Sequence, residues 1–132
     1  MTSIAIRFAA VLLVLVIADA AWLGYFAKAM FRPALGDILL DTPRWSAAVA
    51  FYLIYAGGVM AFPLAMGLHK DSIGTAILYG ALFGFLAYMT YDLTNLATLK
   101  AWTAPLALID MSWGAVLTAA ATAAGFAVAQ RF

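Results

Sequence analysis

Asp19, Asp92 and Asp110 each stand inside a long apolar run. Each has aromatic or amide company: Ala18-Asp19-Ala20-Ala21-Trp22, Tyr88-Met89-Thr90-Tyr91-Asp92-Leu93-Thr94-Asn95, and Ile109-Asp110-Met111-Ser112-Trp113-Gly114. A charge near the centre of a bilayer costs about 2.5–3.5 kcal/mol on insertion scales, so such residues usually mark function. Three carboxyl groups brought together without a counter-charge must hold a proton, or admit a cation or a lysine. Tyr52, Tyr55, Tyr88 and Tyr91 can donate hydrogen bonds to the charged form. The chemistry these types support is proton binding, cation binding, or capture of a cationic or polyhydroxylated solute. Oxygen ligands alone would suit Mg²⁺, Ca²⁺ or Mn²⁺ better than zinc. No spacing here is a metal signature, and neither a metal nor a cofactor is assigned.

The elements that must position these groups are set by composition. Of 132 residues, 67% are hydrophobic and only 10% charged, against about 25% charged in a soluble domain. The mean hydropathy is +1.03. So little polar surface cannot wrap a water-facing globule, and the solvent is lipid. The net charge of +1, with scattered basic residues, excludes a nucleic-acid patch. The chain has no cysteine, which removes disulfide, thiol and iron–sulfur chemistry. Its single histidine, His69, falls in a short polar stretch and reads as solvated.

Four apolar runs, 8–27, 45–68, 73–99 and 103–129, are each long enough to cross a bilayer. In lipid, backbone groups must be satisfied within the segment, so the fold class is an all-α membrane four-helix bundle in a single domain. Asp41 or Thr42 with Pro43 reads as the start of the second span, Asp71 or Ser72 as the cap of the third, and Thr103 with Pro105 as the start of the fourth. Pro63 predicts a kink. Gly57-Gly58 reads as close packing against a neighbouring helix, or a bend. The connection between spans two and three is short enough to make them a hairpin. Residues 28–44, with Pro33 and Gly36, read as the one sizeable loop. Ala18-Asp19-Ala20 resembles a signal-peptide cleavage site, but the apolar character continues through Trp22, Tyr25 and Phe26, as in a genuine span.

Call the membrane side bearing Arg7, Lys70 and Arg131 side A, and that bearing Lys28, Arg32, Arg44 and Lys100 side B. Three basic residues against four give no firm orientation. Asp19 lies nine residues before Lys28, Asp92 eight before Lys100, and Asp110 seven after Thr103. Tyr52 lies seven after Trp45. At 1.5 Å per residue the carboxylates share a level about 10–13 Å from the side-B end. Helical spacing puts Gly80, Gly84, Tyr88, Asp92 and Asn95 on one face, and Asp110, Trp113, Gly114, Leu117, Thr118 and Ala121 on another. It likewise groups Tyr52, Tyr55, Ala56, Val59 and Phe62, and Leu12, Leu15, Asp19, Trp22 and Phe26. Gly80, Gly84 and Gly114 read as helix-packing positions. The binding set is then Asp19, Trp22, Tyr52, Tyr55, Tyr88, Tyr91, Asp92, Asn95, Asp110 and Trp113. Against it stands a structural reading in which Lys28 or Lys100 folds back onto a carboxylate, or helix three frays near Thr94. Trp22, Tyr25, Trp45 and Trp102 read more simply as an interfacial belt.

The blocks Tyr91-Asp92-Leu93-Thr94-Asn95 and Ile109-Asp110-Met111-Ser112-Trp113-Gly114, with the early Ala18-Asp19-Ala20-Ala21-Trp22-Leu23-Gly24-Tyr25-Phe26, resemble a family of small bacterial membrane proteins, domain of unknown function 2177. The resemblance spans essentially the whole chain. It implies a four-helix, multi-pass protein of the bacterial inner membrane and supplies no activity. Three function classes remain open. One is a proton-, cation- or solute-binding protein or transporter, working as a homo-oligomer. Another is an accessory subunit with partner membrane proteins, and a third is a lipid-modifying enzyme. The first is preferred, and enzymatic activity is not assigned.

Overall fold

The computed structural model describes residues 2–132 and is helical apart from its short connections, with no strand among those residues. Four helical segments are long and apolar enough to cross a membrane: α1, Ser3–Ile38; α2, Trp45–His69; α3, Ile73–Thr98; and α4, Ala104–Arg131. Their outward faces carry Leu13, Ile17, Ile54, Leu78, Leu86 and Val116, all exposed, as lipid as solvent demands.

α1 differs from expectation. The chain does not leave the helix at Lys28; after a π turn at Leu23–Ala27 it continues as α-helix over Lys28–Leu35 and closes in a 3₁₀ turn, Gly36–Ile38. Pro33 sits inside this stretch, and Gly36, at φ +42°, ends it. The 36 residues of α1 span about 54 Å, well beyond the ~30 Å of hydrocarbon. The extension is held because Met30, Phe31, Ala34 and Leu35 pack on Trp102, Leu106, Ala107 and Met111 at the start of α4.

A second π turn, Met60–Leu64, contains Pro63. A π turn inserts one extra residue, so it absorbs the missing proline N–H and rotates the rest of the helix. The buried stripe of α2 therefore runs Tyr55, Ala56, Val59, Pro63, Leu64 and Gly67, while Phe62 points outward. Phe26, within the π turn of α1, is likewise exposed, and Ala27 takes the buried place. α2 begins at Trp45 behind an extended Arg44, without a side-chain cap. Asp41, Thr42 and Pro43 lie ahead of it, because proline holds its preceding residue out of the helical region.

The other two caps form as expected. Ser72 Oγ accepts from the Thr75 N–H at 3.1 Å, and Thr103 Oγ1 accepts from the Leu106 N–H at 3.3 Å. Ser72→Ala should lower stability by about 0.5–2 kcal/mol, read as the midpoint of denaturant-induced unfolding in lipid. The α2–α3 turn is tight: Asp71 takes φ +47°, and a methyl on Gly67 would overlap Ala76. α3 runs unbroken to Thr98, so it does not fray at Thr94–Asn95.

The largest interface joins α3 to α4, followed by α1 with α4. A methyl added at Gly80 would meet Thr122 and the Thr118 carbonyl, one at Gly84 the Gly114 carbonyl and Thr118, and one at Gly114 the Tyr88 ring. These glycines let two backbones touch. α2 is asymmetric. Its second half packs on α3, but Trp45–Val59 leans on α1 and its backbone diverges from α3, meeting it chiefly through the Phe83 ring. The bundle is closed at side A and open between α2 and α3 toward side B.

Candidate functional site

All three aspartates are turned into the bundle: Asp19 is 6% exposed, Asp110 5% and Asp92 0%. They are not equivalent. Asp19 extends the buried stripe of Val11 and Leu15 on α1 and is gripped from two other helices. The Tyr52 hydroxyl of α2 donates to its Oδ2, and Trp113 Nε1 of α4 donates to its Oδ1 at 3.0 Å. Two donors on one group match the acceptor-only character of a carboxylate. One residue of α1 thereby fixes α2 and α4 at a common level.

Asp110 lies one turn toward side B, beside Trp22 of α1 and Asp92 of α3. Neither carboxyl oxygen of Asp92 has a hydrogen-bond partner among the described residues. Two neighbouring carboxyl groups without a lysine between them share a proton or admit a cation. Lys28 and Lys100 are exposed, and Asp19 is instead partnered by Tyr52 and Trp113. The fold-back of a lysine is therefore not the arrangement adopted. Among the described residues no three His, Cys, Asp or Glu side chains converge on a metal-sized site.

The tryptophans divide. Tyr25 and Trp45 are exposed, but Trp102 is 4% exposed, stacked on Phe31 at 5.4 Å and met edge-on by Tyr91 at 5.6 Å. Trp22 stacks on Trp113 with centroids 4.8 Å apart and planes 5° from parallel. Trp22 and Trp102 are thus structural members of the bundle and not belt residues. The extension of α1 carries aromatic packing past the point where the sequence reads as loop.

Where α2 diverges from α3 there is a cavity of about 500 Å³, lined by Asp19, Trp22, Tyr55, Tyr88, Tyr91 and Asp110 together with Leu23, Phe31, Leu35, Leu39, Phe51 and Ala87. Its size is that of an ordinary small-molecule site. Tyr55 is oriented by a 2.8 Å hydrogen bond with Thr118 Oγ1 and rests on Phe83 at 5.5 Å. Of the residues singled out from sequence, Asp19, Trp22, Tyr55, Tyr88, Tyr91 and Asp110 face this cavity. Tyr52 and Trp113 stand behind as supports of Asp19. Asp92 and Asn95 do not line the cavity, Asp92 lying behind Asp110.

Sequence reasoning misses the apolar wall. Phe31, Leu35 and Leu39 come from the segment that reads as loop, and Phe51 and Ala87 carry no chemical signal. One clue is present, since Ala27, Phe31, Ala34 and Leu35 recur at helical spacing through Pro33.

No curated protein and no solved structure matches the chain. A family profile described as "Predicted membrane protein (DUF2177)" matches residues 4–127. That match takes in most of all four helices and every aspartate of the site, and the chain belongs to the DUF2177 family of predicted membrane proteins.

Proposed function

We propose that this membrane protein binds a small solute that carries positive charge or several hydrogen-bond donors, held between Asp19 and Asp110. The observation that supports it is the cavity itself: about 500 Å³, with two carboxyl groups and three tyrosines in its lining and no basic side chain to neutralise them. Acceptors in such a site call for donors on the ligand. In a low-dielectric setting the attraction between an ammonium group and a carboxylate is far stronger than in water. The ligand would supply the counter-charge that Lys28 and Lys100 do not. Transport and homo-oligomer formation would be additions to this binding. We place the protein in the bacterial inner membrane, since the family resemblance is bacterial and outer-membrane spans are characteristically β-barrels.

The test is equilibrium binding of butylammonium and dodecylammonium to the protein in lipid nanodiscs, with empty nanodiscs as baseline. Asp110→Asn keeps the size of the side chain and removes its charge. At least one amine should bind, and the variant should weaken it tenfold or more, a loss of about 1.4 kcal/mol. Binding of neither amine, or equal binding to the variant, rejects the reading.

A further inference from the structure

The polarity of the cavity is graded. Its carboxyl groups and two of its three tyrosines are deep: Asp19, Tyr55 and Asp110 are buried, and Tyr88 is half-buried. Its rim is largely apolar and open: Leu23, Leu39 and Phe51 are between 44% and 49% exposed and Ala87 is exposed, and the one tyrosine there, Tyr91 at 49%, lays its ring against Trp102. A site filled from water would be expected to present polar groups at its mouth. Here the mouth has the character of the outward faces of the bundle, and those faces meet acyl chains. The opening also lies where the backbone of Trp45–Val59 parts from α3, with Phe51 on one side and Ala87 on the other. At its inner end the gap is stopped by aromatic rings: Phe83 lies against Tyr55 at 5.5 Å and Phe62 at 6.1 Å.

Resting on the binding function proposed above, we infer that the ligand is a lipophilic amine, a single apolar chain or ring body with an ammonium head. It reaches the site sideways from the bilayer, between α2 and α3. The head passes inward to Asp19 and Asp110, and the apolar body stays among Phe51, Leu35, Leu39 and Ala87. Charge complementarity selects the head, and the rim selects the body. The roof is the extension of α1, whose Phe31 and Leu35 line the cavity on its side-B flank. Burial of a chain against this wall is favourable relative to water, not relative to lipid, so the advantage over a short amine arises from partitioning into the bilayer and from fit.

The chain has no cysteine, which makes a tether across the mouth simple to install. Phe51→Cys/Ala87→Cys, joined by a short bis-maleimide, should slow dodecylammonium association tenfold or more relative to the unlinked double variant. In the unmodified protein, dodecylammonium should bind at least tenfold more tightly than butylammonium. If the double variant does not fold, Ala87→Trp, at an exposed position, plugs the same gap and should slow association likewise. Equal affinities for the two amines, or association unchanged by tether or plug, overturn the lateral route and the lipophilic ligand. Asp110-dependent binding would survive that result, whereas failure of both amines to bind would fall on the binding function itself.

Discussion

Valine in place of Gly84 should leave little or no folded protein. A Cβ at this position would fall on the Gly114 carbonyl and on the Thr118 side chain. Overpacking that side chains can absorb costs about 1–3 kcal/mol. Here one obstacle is backbone, so α3 and α4 must separate along their whole contact, the largest in the molecule. Lipid tails are as apolar as the helices, so nothing restores the association once close packing is lost. The site would go with it: Tyr88 covers Gly114, and Asp92 lies on the same face of α3. Unfolding by graded sodium dodecyl sulfate, monitored by circular dichroism, gives the readout. Gly57→Ala is the control, since a methyl there meets nothing within 4 Å and should leave the midpoint unchanged or slightly raised. A Gly84→Val midpoint equal to that control would show that the α3–α4 contact is looser than its geometry.

Asp19→Leu should be nearly as damaging by a different route. The Tyr52 hydroxyl and Trp113 Nε1 both lose their acceptor, and each stranded donor costs about 1–3 kcal/mol. Loss of a buried charge offsets part of this, and the net fall should be about 2–4 kcal/mol. Asp19→Asn should fall less, because its amide oxygen still accepts one of the two bonds. The comparison is read from the same unfolding titration, with amine binding measured beside it. Leu and Asn variants of equal stability would mean that the two bonds do not hold α1, α2 and α4 together.

Much of this architecture is visible in the chain before any coordinates. Four apolar runs, the Ser72 and Thr103 caps and the Gly80–Gly84 spacing obey local rules of length, hydrogen bonding and size. Counting depth brings Asp92 and Asp110 together, with Asp19 about one turn away, because helices rise uniformly. The differences arise where uniformity fails. Each π turn adds a residue that no local pattern announces, so regular spacing puts Phe26 and Phe62 on the wrong faces. Pro33 and Gly36 mask a helix that tertiary packing on Trp102 sustains. Trp102 resembles a membrane anchor because its place at a helix end does not reveal that Phe31 covers it. The cavity wall is out of reach for a similar reason. A void depends on how far two helices stand apart, and Phe51 and Ala87 say nothing of that distance.

The tight turn between α2 and α3 has a mechanical meaning. Gly67 against Ala76, the constrained Asp71 and the bond from Gln130 Nε2 to Asp71 Oδ1 at 3.4 Å make that end a pivot. Any swing of α2 about it moves Trp45 farther than Tyr52, and Tyr52 farther than Val59. Widening the molecule therefore displaces lipid almost wholly from one leaflet, and the cross-section changes as a wedge. Work against the lateral pressure of that leaflet would be part of the free energy of any such opening, so acyl-chain packing in the membrane would bear on the proposed binding as well as the ligand does.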